Sequence, residues 1–302
     1  MSSLKRKSVM RTVVTALVVL LGAGSAAGQD WWPPKPLPGY NIFSDQQESW
    51  LGEVIAEEMG LDSRVVNDPK VNAYLQALGE RLARKSKRPE LRYQFLLVES
   101  SGPDAIALPG GRIYVTRGML QFCQNEAELA AVLSHEIAHV ALRQGAKTIS
   151  RWLFWNIGVD TVSDKEDIRR KIQALQAYFG ETDHLQQAAD QLFGILRADE
   201  MWADKYGIWN LHAAGYEPSL VISFLRRFDA VEREAQGLDY TWLRLLNFLF
   251  GTHLPMADRA NLLQLEIPWT IPNARAVMDT EDFRSIKAHL AATPSQALAL
   301  PQ

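Results

Sequence analysis

The five residues His135-Glu136-Ile137-Ala138-His139 set the tightest condition on how this chain folds. Residues four apart share one face of an α-helix, so the two imidazoles come together only if the segment is helical, and Glu136 then points roughly 100° away from them. The preceding run Glu128-Leu129-Ala130-Ala131-Val132-Leu133-Ser134 is strongly helix-forming. Two imidazoles one turn apart can bind one metal ion at about 2.0–2.1 Å, with the carboxylate turned toward an open coordination position. A chain with 6 His and 35 acidic residues in 302 would show this spacing by chance about 0.014 times. Two merely solvated histidines are therefore the weaker reading.

A helix of this kind needs a second element beside it, because a catalytic zinc takes three protein ligands and keeps one position open. The single cysteine, Cys123, excludes an internal disulfide and any cysteine-built zinc site, so the third ligand is a carboxylate or histidine. Cys123 itself reads as a small buried hydrophobe. The segment Arg197-Ala198-Asp199-Glu200-Met201-Trp202-Ala203-Asp204 is a second helical run. Glu200 ranks modestly ahead of Asp199 and Asp204 as the ligand, with Asp204 one turn on and able to orient a histidine of the first helix.

The chain opens with an address. Lys5, Arg6, Lys7 and Arg11 form a basic region, Thr12 to Leu21 is apolar, and Gly22 to Gly28 is small-residue sequence. This predicts a signal peptide over 1–27, with cleavage after Ala27 or Gly28. An uncleaved anchor is disfavoured because the apolar core is about ten residues, half of what spans a bilayer. The mature chain carries 28 basic against 35 acidic residues, which gives no basic field for nucleic acid. Residues 28–43 form a Pro/Trp-rich extended leader (Trp31, Trp32, Pro33, Pro34, Pro36, Pro38) and residues 293–302 a flexible tail.

Between them, over 44–292, periodicity predicts helices from Ser44 to Met59 and from Pro69 to Lys85, with Ser44 and Asp68 as N-caps. Strands follow at Arg92 to Glu99, Ala105 to Leu108 and Arg112 to Thr116. Further helices are expected at Glu126 to Arg143, near Ser150, and at Asp164 to Phe179, Thr182 to Leu211, Pro218 to Ala235, Tyr240 to Phe250 and Glu281 to Leu290. The fold class is α+β, mostly α, with a small sheet. Gly110 and Gly111 allow close backbone approach, and Arg112, Ile113 and Tyr114 read equally as an ordinary hairpin strand or as an edge offered to an extended peptide. Trp152, Leu153, Phe154 and Trp155 read as a core helix or as a surface that touches a membrane or partner.

Four motifs in order carry a resemblance: Leu108-Pro109-Gly110-Gly111-Arg112-Ile113-Tyr114-Val115-Thr116-Arg117-Gly118, His135-Glu136-x-x-His139, Glu200-x-x-x-Asp204 and Thr252-His253-Leu254-Pro255. Together, over roughly 44–265, they resemble the BepA/HtpX-type metallopeptidases, metallopeptidase family forty-eight, and within it the periplasmic branch without tetratricopeptide repeats. The resemblance implies a zincin-like domain with one zinc per chain on His135, His139 and Glu200, although Mn or Co fits the same ligands. It implies Glu136 as general base and acid, Asp204 and Arg259 behind the ligands, and His253 on a loop over the active site that Arg259 also braces. It also favours Gly110, Gly111, Arg112, Ile113 and Tyr114 as the substrate strand. The implied protein is a periplasmic endopeptidase acting on misfolded or unassembled envelope proteins. Outer-membrane assembly machinery and a peripheral membrane contact are its implied partners. A chaperone-like factor with little proteolysis is the alternative, and a non-proteolytic zinc hydrolase a third. Two positions depart from the family pattern: Asp104-Ala105-Ile106-Ala107 stands for the usual Asn-Ala-Phe-Ala, and Arg143-Gln144 for the usual Arg-His pair.

Overall fold

Helix α1, Asp45–Glu58, starts where Ser44 and Gln47 cap each other reciprocally, and α2, Pro69–Ala83, starts where the Asp68 carboxylate accepts from Val71 N with Pro69 in the first turn. The computed structural model describes residues 39–179, 182–234, 256–267 and 275–293. Strands β1 (Gln94–Val98), β2 (Ala105–Leu108) and β3 (Arg112–Thr116) form a sheet in the order β1-β3-β2, with β3 parallel to β1 and antiparallel to β2.

Alternation along the strands feeds two cores. Leu97, Ala105, Ala107, Ile113 and Val115 face one side with Leu75 and Leu82 of α2, while Ile106, Leu108 and Tyr114 face the other with Leu51, Val54 and Ile55 of α1. The β2–β3 turn needs its glycines, since Gly110 and Gly111 have φ of 79° and 100°. A Cβ on Gly110 would lie 2.3 Å from Ser49 Cα, and one on Gly52 would lie 2.0 Å from Pro109 O. The close approach is thus made by α1.

This topology corrects the expectation for Gly110, Gly111, Arg112, Ile113 and Tyr114. Strand β3 is hydrogen-bonded on both sides, so its backbone has no edge to offer a peptide. The edge strand toward the histidine helix is β2. Thr116 N donates to Asp104 O at 3.0 Å, which makes Asp104, Ile106 and Leu108 the residues bonded to β3 and turns the N–H and C=O of Ala105 and Ala107 outward.

The remaining elements are α3 (Arg117–Phe122), α4 (Glu126–Ala141), α5 (Gln144–Ile157), α6 (Lys165–Phe179), α7 (Thr182–Ala213), α8 (Leu220–Glu234), α9 (Met256–Glu266) and α10 (Glu281–Ala292). Helices α3 and α9 were not anticipated by periodicity. The expected signal peptide, most of the Pro/Trp leader, the helix over 240–250, His253 and the tail from 294 on lie outside the described residues. Trp152 and Leu153 pack in the core, whereas Phe154 and Trp155 of the same helix are exposed. Cys123 is fully buried, and burial pushes its thiol pKa up. Among the described residues, no helix is long and apolar enough to cross a membrane.

Candidate metal centre

Helix α4 ends at a two-residue turn whose second residue decides the site. Arg143 adopts the left-handed conformation (φ 58°, ψ 32°), which costs a non-glycine residue about 1 kcal/mol. Its guanidinium is held in that pose by the Asp45 carboxylate and by Glu48 Oε1 at 2.8 Å, and the buried Glu48 also takes Arg88 Nη1 at 2.8 Å. The turn brings the start of α5 back against the end of α4. Gln144 then reaches the ring of His139, five residues earlier.

That contact fixes a tautomer. Gln144 Oε1 lies 2.6 Å from His139 Nδ1 and, being an acceptor, requires the hydrogen to sit on Nδ1. Gln144 Nε2 in turn donates to Asp199 O at 2.8 Å, tying the pair to α7. Asp204 Oδ1 lies 2.9 Å from His135 Nδ1 and imposes the same tautomer there. With that tautomer each Nε2 presents its lone pair; the two face each other at 2.9 Å, and Arg259 Nη2 lies 3.3 Å from that of His135. Glu200 completes the group, its oxygens 3.5 Å from His135 Nε2 and 3.3 Å from His139 Nε2.

The two Nε2 atoms and the Glu200 carboxylate converge on one point. Their spacing is that of ligands about 3.3 Å apart around an ion bound at about 2.0–2.1 Å. The donor set therefore fits a metal, zinc in particular, with His135, His139 and Glu200 as the atoms that would hold it. Among the described residues, this is the one cluster of His, Cys, Asp and Glu with such spacing. Asp199, the rival in sequence, contributes only its backbone carbonyl.

Behind the ligands lies a buried ion pair. Arg259, from α9, grips Asp204 through both nitrogens, Nε at 2.8 Å from Oδ2 and Nη2 at 2.6 Å from Oδ1, while its Nη1 lies 3.3 Å from Glu200 Oε2. Burial alone would raise the Asp204 pKa, but the charge and hydrogen bonds of Arg259, with His135, outweigh it and hold the carboxyl down at about 2. Asp204 is thus the ionised partner of His135. Arg259, expected behind the ligands together with Asp204, lies against the two carboxylates of α7; the loop of His253 lies outside the described residues. Glu136 is 1% exposed and sits beside an apolar recess at the N-terminal side of the histidines. Helices α4 and α7 pack closely at Gly207, where an added Cβ would lie 3.1 Å from His135 Cα.

Gln144 is the site residue that sequence reasoning missed. Its one signal was its position, a glutamine where the resembling family carries a histidine.

Comparison with known proteins places this geometry. A family model described as Peptidase family M48 matches residues 69–267. The chain is 27% identical over 210 residues to a beta-barrel assembly-enhancing protease of Yersinia pestis, covering 68% of this chain and 42% of that protein. The corresponding protein of Escherichia coli K12 is 24% identical over 229 residues, covering 74% and 46%. Mitochondrial metalloendopeptidase OMA1 of Schizosaccharomyces pombe is 27% identical over 159 residues, covering 53% and 44%. The chain spans less than half the length of these curated relatives.

Proposed function

The chain belongs to peptidase family M48, and from that premise we propose that it is a zinc-dependent endopeptidase of the bacterial cell envelope that cuts misfolded or unassembled envelope proteins. The observation that carries the reading is the convergence of two histidine Nε2 atoms and the Glu200 carboxylate within 3.5 Å of one another, with Glu136 next in the same helix. The names of the bacterial relatives support the envelope setting and a role near β-barrel assembly. The amino-terminal segment, read as a signal peptide, supports export to the periplasm.

When bound, a zinc ion supplies Lewis-acid polarisation of a carbonyl and acidification of water. The chain's own residues do the rest. Glu136, as general base, takes the proton of the attacking water and passes it to the leaving amine. Asp204 and Gln144 hold the two imidazoles in the tautomer with the hydrogen on Nδ1, and Arg259 keeps Asp204 charged. The outward carbonyls of Ala105 and Ala107 and the N–H of Ala107 on β2 pair with the extended substrate, the Ala105 N–H being held by Asp104 Oδ1 at 2.8 Å, with β2 in the role first expected of β3. His253 supplies a donor for the tetrahedral oxyanion.

The test compares wild type with Glu136→Gln for zinc content and for cleavage of casein, an unfolded protein. We expect about one zinc per chain in both and a loss of cleavage of at least about 100-fold in the variant. Cleavage unchanged in Glu136→Gln would overturn the mechanism. Casein bound equally and cut by neither would favour the chaperone-like reading.

A further inference from the structure

Arg143 stands where a helix most often ends on glycine. It follows the C-cap of α4, it is left-handed, and among the described residues it is the one non-glycine with a positive φ. A glycine would adopt that φ without cost, so the turn alone gives no reason for an arginine. The guanidinium is what distinguishes the residue. Its Nη1 meets Glu48 Oε1 at 2.8 Å and its Nη2 meets Asp45, both in the first turn of α1.

Glu48 anchors this clasp. It is 1% exposed, whereas the Asp45 side chain is 60% exposed and shares its hold with water. Both Glu48 oxygens are committed: Oε1 accepts from Arg143 Nη1 and from Asn41 Nδ2 at 2.9 Å, and Oε2 accepts from Arg88 Nη1 at 2.8 Å. Arg88 Nη1 also lies 3.4 Å from Val140 O, and Lys147 Nζ donates to Leu142 O at 2.7 Å, so cations hold the last carbonyls of α4. Glu48 lies one turn before Leu51 and Gly52, on the buried face of α1. A well-packed apolar residue there would stabilise the fold as much as the buried ion pair does, or more. The carboxylate is therefore accounted for by what it orients.

What it orients is the turn into α5. With Arg143 left-handed, Gln144 opens α5 with its Oε1 2.6 Å from His139 Nδ1 and its Nε2 on Asp199 O. With Arg143 in the ordinary right-handed region the chain would continue along α4, and Gln144 would lie about 140° round the helix from His139, out of reach of its ring. We propose that Glu48 is a positioning residue for the metal centre: it clasps Arg143 in the left-handed turn and so keeps Gln144 on the ring of His139. The proposal rests on the reading of His139 as a metal ligand.

The experiment compares Arg143→Ala with Arg143→Gly, since both lose the clasp but only glycine keeps the left-handed turn without it. It adds Glu48→Gln, whose NH2 would face one of the two arginines, alone and in the Arg143→Gly background. Zinc affinity is read by competition with a chromophoric chelator. The tautomer is read from the nitrogen NMR signature of the His139 ring in the metal-free chain, assigned by its loss in His139→Gln. Wild type should carry the hydrogen on Nδ1. Arg143→Ala and Glu48→Gln should show mixed tautomers and bind zinc at least about tenfold more weakly than wild type. Arg143→Gly should bind at least about fivefold more tightly than Arg143→Ala. In the Arg143→Gly background, Glu48→Gln should change affinity by no more than about twofold, because the clasp it would break is already gone. A purely structural Glu48 would give its full loss in either background, and that result would overturn the proposal. So would equal affinities of the Ala and Gly variants, which decide the matter alone if Glu48→Gln does not fold. Should wild type bind no zinc, the metal reading fails by itself and the ring spectra decide the clasp. A hydrogen still fixed on Nδ1 in Arg143→Ala and Glu48→Gln would overturn it, and mixed tautomers confined to those two would support it.

Discussion

Replacing Gly207 by Ala should loosen the metal centre without unfolding the protein. The new methyl would sit 3.1 Å from His135 Cα and 3.2 Å from His135 N, against an ordinary carbon contact of about 3.5–4.0 Å. Both atoms are backbone of a buried helix, so relief requires α7 and α4 to part by about 0.5 Å where they cross. Overpacking of this kind costs about 1–3 kcal/mol, and the better helix propensity of Ala returns about 1 kcal/mol. The net loss of stability is therefore about 0–2 kcal/mol. The centre is less forgiving. Glu200 rides on α7 and the histidines on α4, with donor separations of 3.3 and 3.5 Å, and a functional site tolerates about ±0.2 Å in its ligand distances. A parting of about 0.5 Å should lower zinc affinity at least about tenfold, or 1.4 kcal/mol. Competitive titration against a chromophoric chelator reads the affinity, and a melt in chelator reads the fold. Wild-type affinity in a folded Gly207→Ala protein would refute the argument that this contact sets the ligand spacing.

Two further perturbations act at a distance from the ligands themselves. Gln144→Ala removes the acceptor that fixes the His139 tautomer and the tie to Asp199. It should cost about 10–100-fold in zinc affinity, measured by the same titration, with little change in the melt of the metal-free chain. Asp68 carries the cap of α2 and an ion pair to His289 at 2.7 Å. Although burial raises its pKa, the bond from Val71 N and the His289 pair outweigh it and hold the carboxyl below its ordinary value. A depressed folded pKa gives stability that is present above the ordinary carboxylate range and lost as pH falls through the folded value. Asp68→Ala should thus cost about 1 kcal/mol at pH 7, seen as a lower melting temperature, and the gap to wild type should close as pH falls below the ordinary carboxylate range.

The helices were legible because their signals are local. Apolar period, Ser44, Asp68 and the helical run into His135 all act within a few residues, and the observed ends fall within two or three residues of those expected. The pairing of strands is not local. Nothing within Arg112–Thr116 says that β1 will lie parallel on its far side, so a strand read as an edge became the centre of the sheet. The part played by Gln144 depends on one left-handed residue, Arg143, held by Asp45 and Glu48 almost a hundred residues earlier. Helix α9 was missed because its pattern is mixed. Ala260 and Leu263 face inward while Leu262 and Leu265 are exposed, so no single apolar face marks the helix.

The central claim is that His135, His139 and Glu200 together hold one metal ion. Its most direct test is the zinc bound per chain, at one fixed free-zinc concentration, by wild type and by His135→Ala, His139→Ala and Glu200→Gln separately. The account predicts about one zinc in wild type and less than about a tenth of that in each variant, since removing one of three protein ligands leaves too few to compete with water. Stoichiometric zinc retained at wild-type affinity by any of the three would contradict it.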